Sequence, residues 1–305
     1  MIIALTGGSG FIGASVIKQM LLNNDKPVVL IRKDSNLKRL KDLKGIEFIS
    51  YESLADEKLI EQLQVHKAAT FIHLAWKGVG GADRNKAFQI TENIPFTIQS
   101  VELAKKIGCT HWIGIGSQAE YGNPNCKIDE EFPTIPTTLY GKAKLAACWA
   151  SSGLCDALNI QSSWIRVFST YGIGDEPNWF IPYIIGELLQ GESPSLTNCE
   201  QLWDYLYVDD AADAILNAAH KKATGIYNIG TGKALPLKYI VDRIRNEIDP
   251  AIKINYGAVP YRPDQVMHLE ADVSKIFSAT DWKYTINIEE GIKKIIHGIK
   301  TKASE

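Results

Sequence analysis

The stretch MIIALTGGSGFIGASVIKQML (residues 1–21) decides the fold of this chain. Its first six residues predict a buried strand, and the apolar residues from position 12 onward repeat at the spacing of an amphipathic helix. The turn between them satisfies two glycine spacings, with Gly7 or Gly8 followed by Gly10 and Gly13. Such glycines allow a tight turn, a close approach of the backbone to a pyrophosphate, and close packing of helix on strand. The stretch therefore predicts a strand–turn–helix unit that binds a dinucleotide at the start of its helix.

The alternation of short apolar runs with helical stretches continues to about residue 170. A helix is predicted over 93–107, because Pro95 stands in its first turn and Gly108 directly after its end. Strands that alternate with helices form parallel sheets whose two faces are both covered. We therefore predict an α/β fold with a Rossmann-like doubly wound parallel sheet. Its further predicted strands are PVVLI (27–31), IEFIS (46–50), ATFIHLA (69–75), HWIGIGS (111–117) and SSWIRVF (162–168).

The pattern changes after residue 170, where glycines and prolines interrupt shorter elements. These breaks stand at positions 172, 174, 177, 182, 191 and 194. We predict a dinucleotide-binding domain over 1–170, to which segments around 205–232 return. The rest of 171–305 is predicted to form a smaller C-terminal lobe that mainly binds substrate.

Composition excludes several classes of partner. The 33 basic and 35 acidic side chains leave a formal charge of −2, without the concentrated positive charge that nucleic acid or an anionic membrane requires. No apolar run approaches the ~18 residues of a membrane span. The five cysteines form no CxxC pair and no metal-binding cluster, and residues 1–6 lack the basic segment of a signal peptide. We expect a cytoplasmic protein that acts on a small molecule and binds no metal, nucleic acid or membrane.

The end of the second predicted strand bears on the choice of cofactor. Arg32 and Lys33 stand 19 and 20 positions beyond Gly13, where an acidic residue would bind the adenosine ribose and an arginine would accept a 2′-phosphate. The pair favours NADP(H). Asp34 follows at once, so NAD(H) stays open.

Three polar side chains form a candidate catalytic group. Tyr140 and Lys144 stand four residues apart, which places them on one face of a helix. Ser117 ends the HWIGIGS strand at the sheet edge where ligands bind. A hydroxyl and a phenol can together hold an oxygen that alternates between carbonyl and alcohol. We expect the ammonium of Lys144 and a cationic nicotinamide to bring the pKa of Tyr140 from about 10 towards about 7.

Here the sequence resembles the extended short-chain dehydrogenase/reductase family, in its nucleotide-sugar epimerase/dehydratase/reductase branch. The resemblance covers nearly the whole chain. It rests on TGGSGFIG, FIHLA (71–75), Asn93, GSQAEYG (116–122), YGKAK, RVFSTYG (166–172), YLYVDDAADA (205–214), YNIGTG (227–232) and YRPDQ…ADVSK (261–275).

The resemblance implies roles for individual residues. Ser117, Tyr140 and Lys144 fall on the catalytic positions, and Lys144 also holds the nicotinamide ribose. The other implied cofactor contacts are Phe11 and Ile12 over the pyrophosphate, Leu74 and Ala75 beside the nicotinamide ribose, and Asn93 and Phe168, which help to seat the cofactor. Implied or candidate substrate contacts are Arg262 on the diphosphate, Asn178 on the diphosphate or sugar, Gln118 beside Ser117, and Trp76 in a loop that shapes the sugar pocket.

Departures from the family pattern limit the reactions that this chain is expected to catalyse. Gln118 and Ala119 replace the Asp-Glu pair of the dehydratases, and we expect Glu120 to face the sheet edge or solvent. Ser169 replaces a usual asparagine. Trp203 replaces an arginine, and it either stacks on the base or sugar or belongs to the core.

The favoured function is therefore an NADPH-dependent reductase of a nucleotide-linked 4-keto sugar, a 6-deoxyhexose intermediate. The alternative is an NAD-dependent nucleotide-sugar 4-epimerase, and a remote one is a non-catalytic cofactor-binding regulatory protein. The resemblance also implies a homodimer, paired through the helices near 93–107 and 141–158, with Ile98 and Trp149 on the shared face.

Overall fold

A computed structural model describes residues 1–303 as an α/β protein with two lobes. The strands are β1 Ile2–Thr6, β2 Lys26–Ile31, β3 Glu47–Ser50, β4 Thr70–His73, β5 His111–Ser117, β6 Cys126–Ile128, β7 Gln161–Val167, β8 Ser169–Tyr171, β9 Leu202–Trp203, β10 Tyr205–Tyr207, β11 Gly225–Ile229, β12 Leu235–Pro236 and β13 His268–Ala271. The helices are α1 Phe11–Leu22, α2 Glu57–Gln64, α3 Phe88–Thr91, α4 Asn93–Lys106, α5 Leu139–Ala157, α6 Phe180–Leu189, α7 Val208–His220, α8 Leu237–Ile248, α9 Ser274–Thr280 and α10 Ile288–Ala303.

Seven parallel strands form the large sheet in the order β11-β7-β5-β4-β1-β2-β3. Side chains alternate between its two faces, as the period of a strand requires. Ile3 and Leu5 of β1 pack with α1 and α7, whereas Ala4 packs on the other face with α2, α4 and α5. The predicted doubly wound parallel sheet is confirmed.

The smaller lobe has its own core, built from α6, α8 and α10. Beside it lie the four-stranded sheet β12-β9-β13-β6 and the parallel pair β8–β10. The chain passes between the lobes in both directions. β6 from the N-terminal half joins the smaller sheet, while β11 closes the large sheet and α7 packs on α1.

Within residues 1–303, no helix is long and apolar enough to cross a lipid bilayer.

Candidate active site

The β1–α1 turn lies where the strand order of the large sheet reverses, between β1 and β4. Gly7 has a φ of +73°, and a Cβ there would lie 2.5 Å from the backbone nitrogen of Ala75. A Cβ on Gly13 would lie 2.2 Å from the carbonyl oxygen of Gly7. The turn therefore needs glycine at both positions, and it stands directly beside Leu74 and Ala75. Ligands of doubly wound sheets bind at this point of reversal.

The start of α1 fits the pyrophosphate of a dinucleotide. Gly10 is the exposed N-cap residue and has no side chain to cap the helix, so N–H groups of the first turn are left for a ligand. Phe11 and Ile12 are half-buried and pack against the core of the smaller lobe. The turn is thus bordered by apolar side chains where the two lobes meet.

Two basic side chains follow the carboxyl end of β2. Arg32 and Lys33 are both exposed, and Arg32 Nε lies 3.8 Å from Asp34 Oδ1. Exposed ion pairs of this kind contribute little free energy. The guanidinium of Arg32 is therefore available to a phosphate.

The two other candidate cofactor residues contact protein groups. Asn93 is buried, and its side chain accepts from the N–H of Lys77 at 2.9 Å and donates to the Lys77 carbonyl at 3.0 Å. Phe168 is buried, with its ring centre 6.4 Å from that of Tyr121. Asn93 thus fixes the loop that follows β4, and Phe168 lies in the small cluster beneath the second sheet.

Ser117 ends β5 and caps the 3-10 turn Gln118–Tyr121. Its hydroxyl accepts from the N–H of Ala119 at 3.2 Å, and Glu120 Oε1 accepts from the N–H of Ser117 at 2.8 Å. This reciprocal capping box holds the backbone of Ser117 in place.

The expectation that Glu120 faces the sheet edge or solvent is wrong. Glu120 is fully buried, and its Oε2 accepts from Arg166 Nε at 2.7 Å, while Oε1 also accepts from Trp164 Nε1 at 3.0 Å. Arg166 lies on β7, 46 residues along the chain from Glu120, so a local sequence pattern could not predict this pair. The Ser-x-x-Glu spacing of residues 117–120 is a capping-box signature and could have revealed the inward direction of Glu120.

Tyr140 lies buried in the first turn of α5. Burial raises the pKa of its phenol, against the opposing effects of a hydrogen bond with Ser117 and of the Arg84 guanidinium. The expected shift towards about 7 also requires a cationic nicotinamide, and it stays a prediction. The ammonium of Lys144 donates to the Ile115 carbonyl at 2.7 Å and stands 6.0 Å from the centre of the phenol ring. The structure therefore brings Ser117 and Tyr140 together, with Lys144 behind the ring.

Burial also lowers the pKa of Lys144 to about 7, opposed by the carboxylate of Glu120. The lysine is 4% exposed, so its charge is held in a site with little water. Because its pKa lies near the working pH, small changes in its surroundings alter its charge.

The loop after β4 covers this group. The ring centre of Trp76 lies 3.7 Å from Lys144 Nζ and meets the Tyr140 ring edge-on at 6.1 Å. Arg84 contacts the Tyr140 ring from 5.1 Å, and its carbonyl accepts from the Tyr140 N–H at 2.8 Å. The sequence singled out Trp76 but missed Arg84, which stands in a polar loop without a recognisable motif.

Among the candidate substrate residues, Trp203 is half-buried and contacts Ser169, which also departs from the family pattern. Its indole N–H donates to Ser169 Oγ at 2.6 Å, so the two unusual residues pair with each other. Trp203 also lines a cavity of about 130 Å³ that none of the catalytic candidates borders.

The remaining substrate candidates lie at the surface. Asn178 and Arg262 are exposed, and within residues 1–303 neither side chain makes a hydrogen bond or an ion pair. Gln118 is half-buried beside Ser117. In the described part of the chain, no side-chain hydrogen bond, ion pair or ring contact joins Asn178, Trp203 and Arg262.

The fold and the group of Ser117, Tyr140 and Lys144 are typical of a dinucleotide-dependent enzyme. The sequence model described as "NAD dependent epimerase/dehydratase family" matches residues 3–230. This chain belongs to that family. The predicted resemblance, enzyme class and nicotinamide cofactor are confirmed.

Similar proteins include both reductases and epimerases. The chain is 25% identical over 318 residues to the dTDP-4-dehydro-6-deoxyglucose reductase of Escherichia coli, with 98% of each chain covered. It is 26% identical over 324 residues to the UDP-glucose 4-epimerase of Dictyostelium discoideum, covering 94% of this chain and 92% of the other. The solved structure of UDP-N-acetylglucosamine 4-epimerase from Methanobrevibacter ruminantium M1, in complex with UDP-N-acetylmuramic acid, has a TM-score of 0.87 at 22% identity and 98% coverage of both chains.

Proposed function

We propose that this enzyme is an NADPH-dependent reductase of a nucleotide-linked 4-keto-6-deoxy sugar. The observation that carries the proposal is the exposed pair Arg32 and Lys33 after β2, which suits an NADPH that exchanges in every cycle. The phenol of Tyr140, buried near Ser117, then serves as the proton donor. A reductase needs a protonated tyrosine at the start of turnover. A 4-epimerase first oxidises an alcohol and so needs the same group as a base.

A nicotinamide cofactor held by the β1–α1 turn would supply a hydride for C4 of the sugar. Tyr140 donates its phenolic proton to the oxygen that becomes the alcohol, and Ser117 holds that oxygen by a hydrogen bond. The positive charge of Lys144 stabilises the tyrosinate left behind, which then takes a proton from water. Glu120 supports the arrangement by fixing Ser117 and by favouring the charged form of Lys144.

Dehydration is disfavoured because the required acid is missing. Gln118 and Ala119 follow Ser117, and neither can protonate a departing hydroxyl. Glu120 is committed to Arg166 and to the Ser117 backbone. A buried ion pair of this kind is not a free acid.

The preference for NADPH rests on the exposed guanidinium of Arg32. Arg32→Ala is expected to raise the KM for NADPH about tenfold or more, because a charge-assisted contact to the 2′-phosphate is lost, and to leave that for NADH nearly unchanged. Kinetics with both cofactors test this. Equal losses for both cofactors would mean that Arg32 only shapes the loop.

The smaller lobe is proposed to bind the nucleotide sugar, with Arg262 on the diphosphate and Asn178 on the diphosphate or sugar. Trp203 faces the cavity described above and is proposed to border the nucleotide end. Trp76 and Gln118 stand beside the catalytic group, where they would meet the sugar.

Cofactor stoichiometry tests the function. The purified enzyme is incubated with a nucleotide 4-keto-6-deoxy sugar and NADPH, and the nicotinamide absorbance is followed beside product analysis. One NADPH consumed per sugar is expected. Net interconversion of two 4-epimeric nucleotide sugars without cofactor consumption would reject the reductase and support the epimerase, which relatives such as the Dictyostelium protein favour. Cofactor binding without turnover of either substrate would support a regulatory protein.

A further inference from the structure

Gln89 is a fully buried amide that links the loop after β4 to helix α4. Its Oε1 accepts from Trp76 Nε1 at 2.8 Å and from Asn93 Nδ2 at 3.1 Å. Its Nε2 donates to the carbonyls of Gly78 at 2.5 Å and of Asp83 at 3.2 Å. All four hydrogen-bonding positions of the amide group are therefore used.

The partners determine which way the amide points. An indole N–H can only donate and a backbone carbonyl can only accept, so the oxygen must face Trp76 and the nitrogen must face the two carbonyls. Glutamate would lack the donors. An apolar side chain would leave buried polar groups unpaired, at a cost in stability. Glutamine thus matches what this position requires.

Gln89 anchors the Trp76 ring, which lies against Lys144 and Tyr140. Lys144 Nζ stands 3.7 Å from the centre of the Trp76 ring, within the range of a cation–π contact, and Trp76 meets Tyr140 at an interplanar angle of 85°. Tryptophan has the most favourable aromatic face for a cation, and the contact strengthens when water is excluded. Lys144 is itself almost fully buried.

Other titratable and charged groups near Lys144 also influence its pKa. Glu120 attracts the ammonium from the 3-10 turn, but it is also bound to Arg166. His73 on β4 stays neutral, since burial and the charge of Lys144 lower its pKa to about 3. Arg84 lies on the Tyr140 ring. The Trp76 face, Glu120 and the Ile115 carbonyl are therefore the groups that oppose the loss of charge on Lys144.

We propose that Gln89 is a positioning residue that holds the Trp76 ring against the Lys144 ammonium and Tyr140, and thereby keeps the catalytic lysine charged. The consequence for turnover rests on the proposed reductase function. The effect on Lys144 itself does not.

The direct test is the titration of Lys144 by NMR. Protein labelled with ¹³C at the lysine Cε is titrated from pH 6 to 9, and the Lys144 signal is assigned by its absence in Lys144→Met. In Gln89→Met and Trp76→Leu we expect the titration midpoint to fall by about half to one pH unit, as a lost cation–π contact would cause. Trp76→Phe keeps an aromatic face without the anchoring N–H, so an intermediate fall is expected.

The matched control lies in the same short helix, α3. Phe88 neighbours Gln89 in sequence, and its ring faces a different lysine, Lys77, with Nζ 4.8 Å from the ring centre. Phe88→Leu also removes an aromatic face, but it should leave the Lys144 midpoint unchanged.

Two results would overturn the proposal. An unchanged Lys144 midpoint in folded Gln89→Met and Trp76→Phe would show that the anchored ring does not hold the charge. A raised midpoint would show that Trp76 acts by excluding water. Thermal melting identifies any variant that fails to fold, and Trp76→Phe remains as the mildest change.

Activity separates this proposal from the proposed function. If the function is right, the alkaline limb of the kcat/KM profile moves with the NMR midpoint, and kcat/KM at pH 7.5 falls roughly three- to eightfold in Gln89→Met. A shifted midpoint with an unshifted activity profile would support the positioning by Gln89 and contradict the role of Lys144 in turnover.

Discussion

Tyr140 is the side chain on which the proposed proton transfer depends. Tyr140→Phe removes the hydroxyl that bonds Ser117 but keeps the ring that Trp76 and Arg84 contact. We expect kcat to fall at least ~100-fold, the usual worth of a positioned acid, with little change in Tm or cofactor affinity. Steady-state kinetics and cofactor titration measure this. Turnover within a few-fold of wild type would assign the proton to another group.

His73 makes the stability of the protein depend on pH. It is 3% exposed, and Nδ1 pairs with Thr6 Oγ1 at 2.8 Å. Burial lowers the pKa of His73 to about 3 from 6.5, so between these values the unfolded chain takes up a proton that the folded one does not. The free energy of unfolding should therefore fall as the pH falls below 6.5, by up to ~1.4 kcal/mol per pH unit from this group.

The variant His73→Gln keeps hydrogen-bonding capacity without the titration. Urea unfolding at pH 7, 6 and 5 should give a shallower pH dependence for the variant than for wild type. His111, also buried with a pKa lowered to about 4, remains in both proteins. Parallel curves would mean that His73 is protonated at little cost in the folded state.

At the level of single residues, the sequence predicted side chains whose spacing is local and missed those whose partners are distant. Tyr140 and Lys144 share a helix face because they are four positions apart. Glu120, by contrast, is held inside by Arg166 from another strand, and Gln89 by loop carbonyls that no spacing rule brings together. Long-range pairing carries no periodic signal.

The backbone of the β1–α1 turn is packed too closely to accept a side chain at Gly7 or Gly13. In Gly13→Ala the new Cβ would meet the Gly7 carbonyl oxygen at 2.2 Å, so helix and strand must separate. We expect a loss of ~1–3 kcal/mol in stability and at least a tenfold loss of cofactor affinity. Thermal unfolding and fluorescence titration with NADPH measure both.

The control for this change is Gly186→Ala inside α6, where a Cβ meets nothing within 4 Å. Alanine is the better helix former by ~1 kcal/mol, so this variant should gain stability and bind cofactor normally. If Gly13→Ala matched Gly186→Ala in stability and cofactor affinity, the turn would accommodate a Cβ at position 13.

The strands and helices of the large sheet could be predicted because their apolar residues recur at a clear period and turn-forming residues mark their ends. The predicted helix over 93–107 corresponds to α4, and each predicted strand overlaps an observed one. The smaller sheet is different. Its strands have two to four residues, too few to show alternation, and β13 pairs with β6 from the other half of the chain. Tertiary contacts rather than local pattern make these segments extended.

At the scale of the molecule, the two lobes are linked by exchanged segments rather than by a single linker. β6 enters the smaller sheet, whereas β11 and α7 pack with the larger one. The start of α1 packs against both cores through Ile12. A cofactor at this turn would therefore touch the place where the lobes meet, which suits a site completed by residues of both.

The outer surface of α4 and α5 is the proposed dimer interface. The two helices pack against the same face of the large sheet, yet Trp149 of α5 is 64% exposed and Ile98 of α4 is half-buried. Burying a tryptophan of this exposure in a partner's surface would stabilise association by the hydrophobic effect. We expect a solution mass of twice 33.8 kDa at micromolar concentration.

Analytical ultracentrifugation of two charge variants tests where that interface lies. Trp149→Glu places a carboxylate at the proposed contact and should give a folded monomer, because burying the unpaired charge costs more than the contact gains. Ile299→Glu changes an apolar residue that is 41% exposed on α10, a helix of the smaller lobe, and it should remain a dimer. Wild-type protein that sediments as a monomer at micromolar concentration would reject the dimer. A dimer that persists in Trp149→Glu would place the contact away from Trp149, because an unpaired carboxylate buried there would disrupt it.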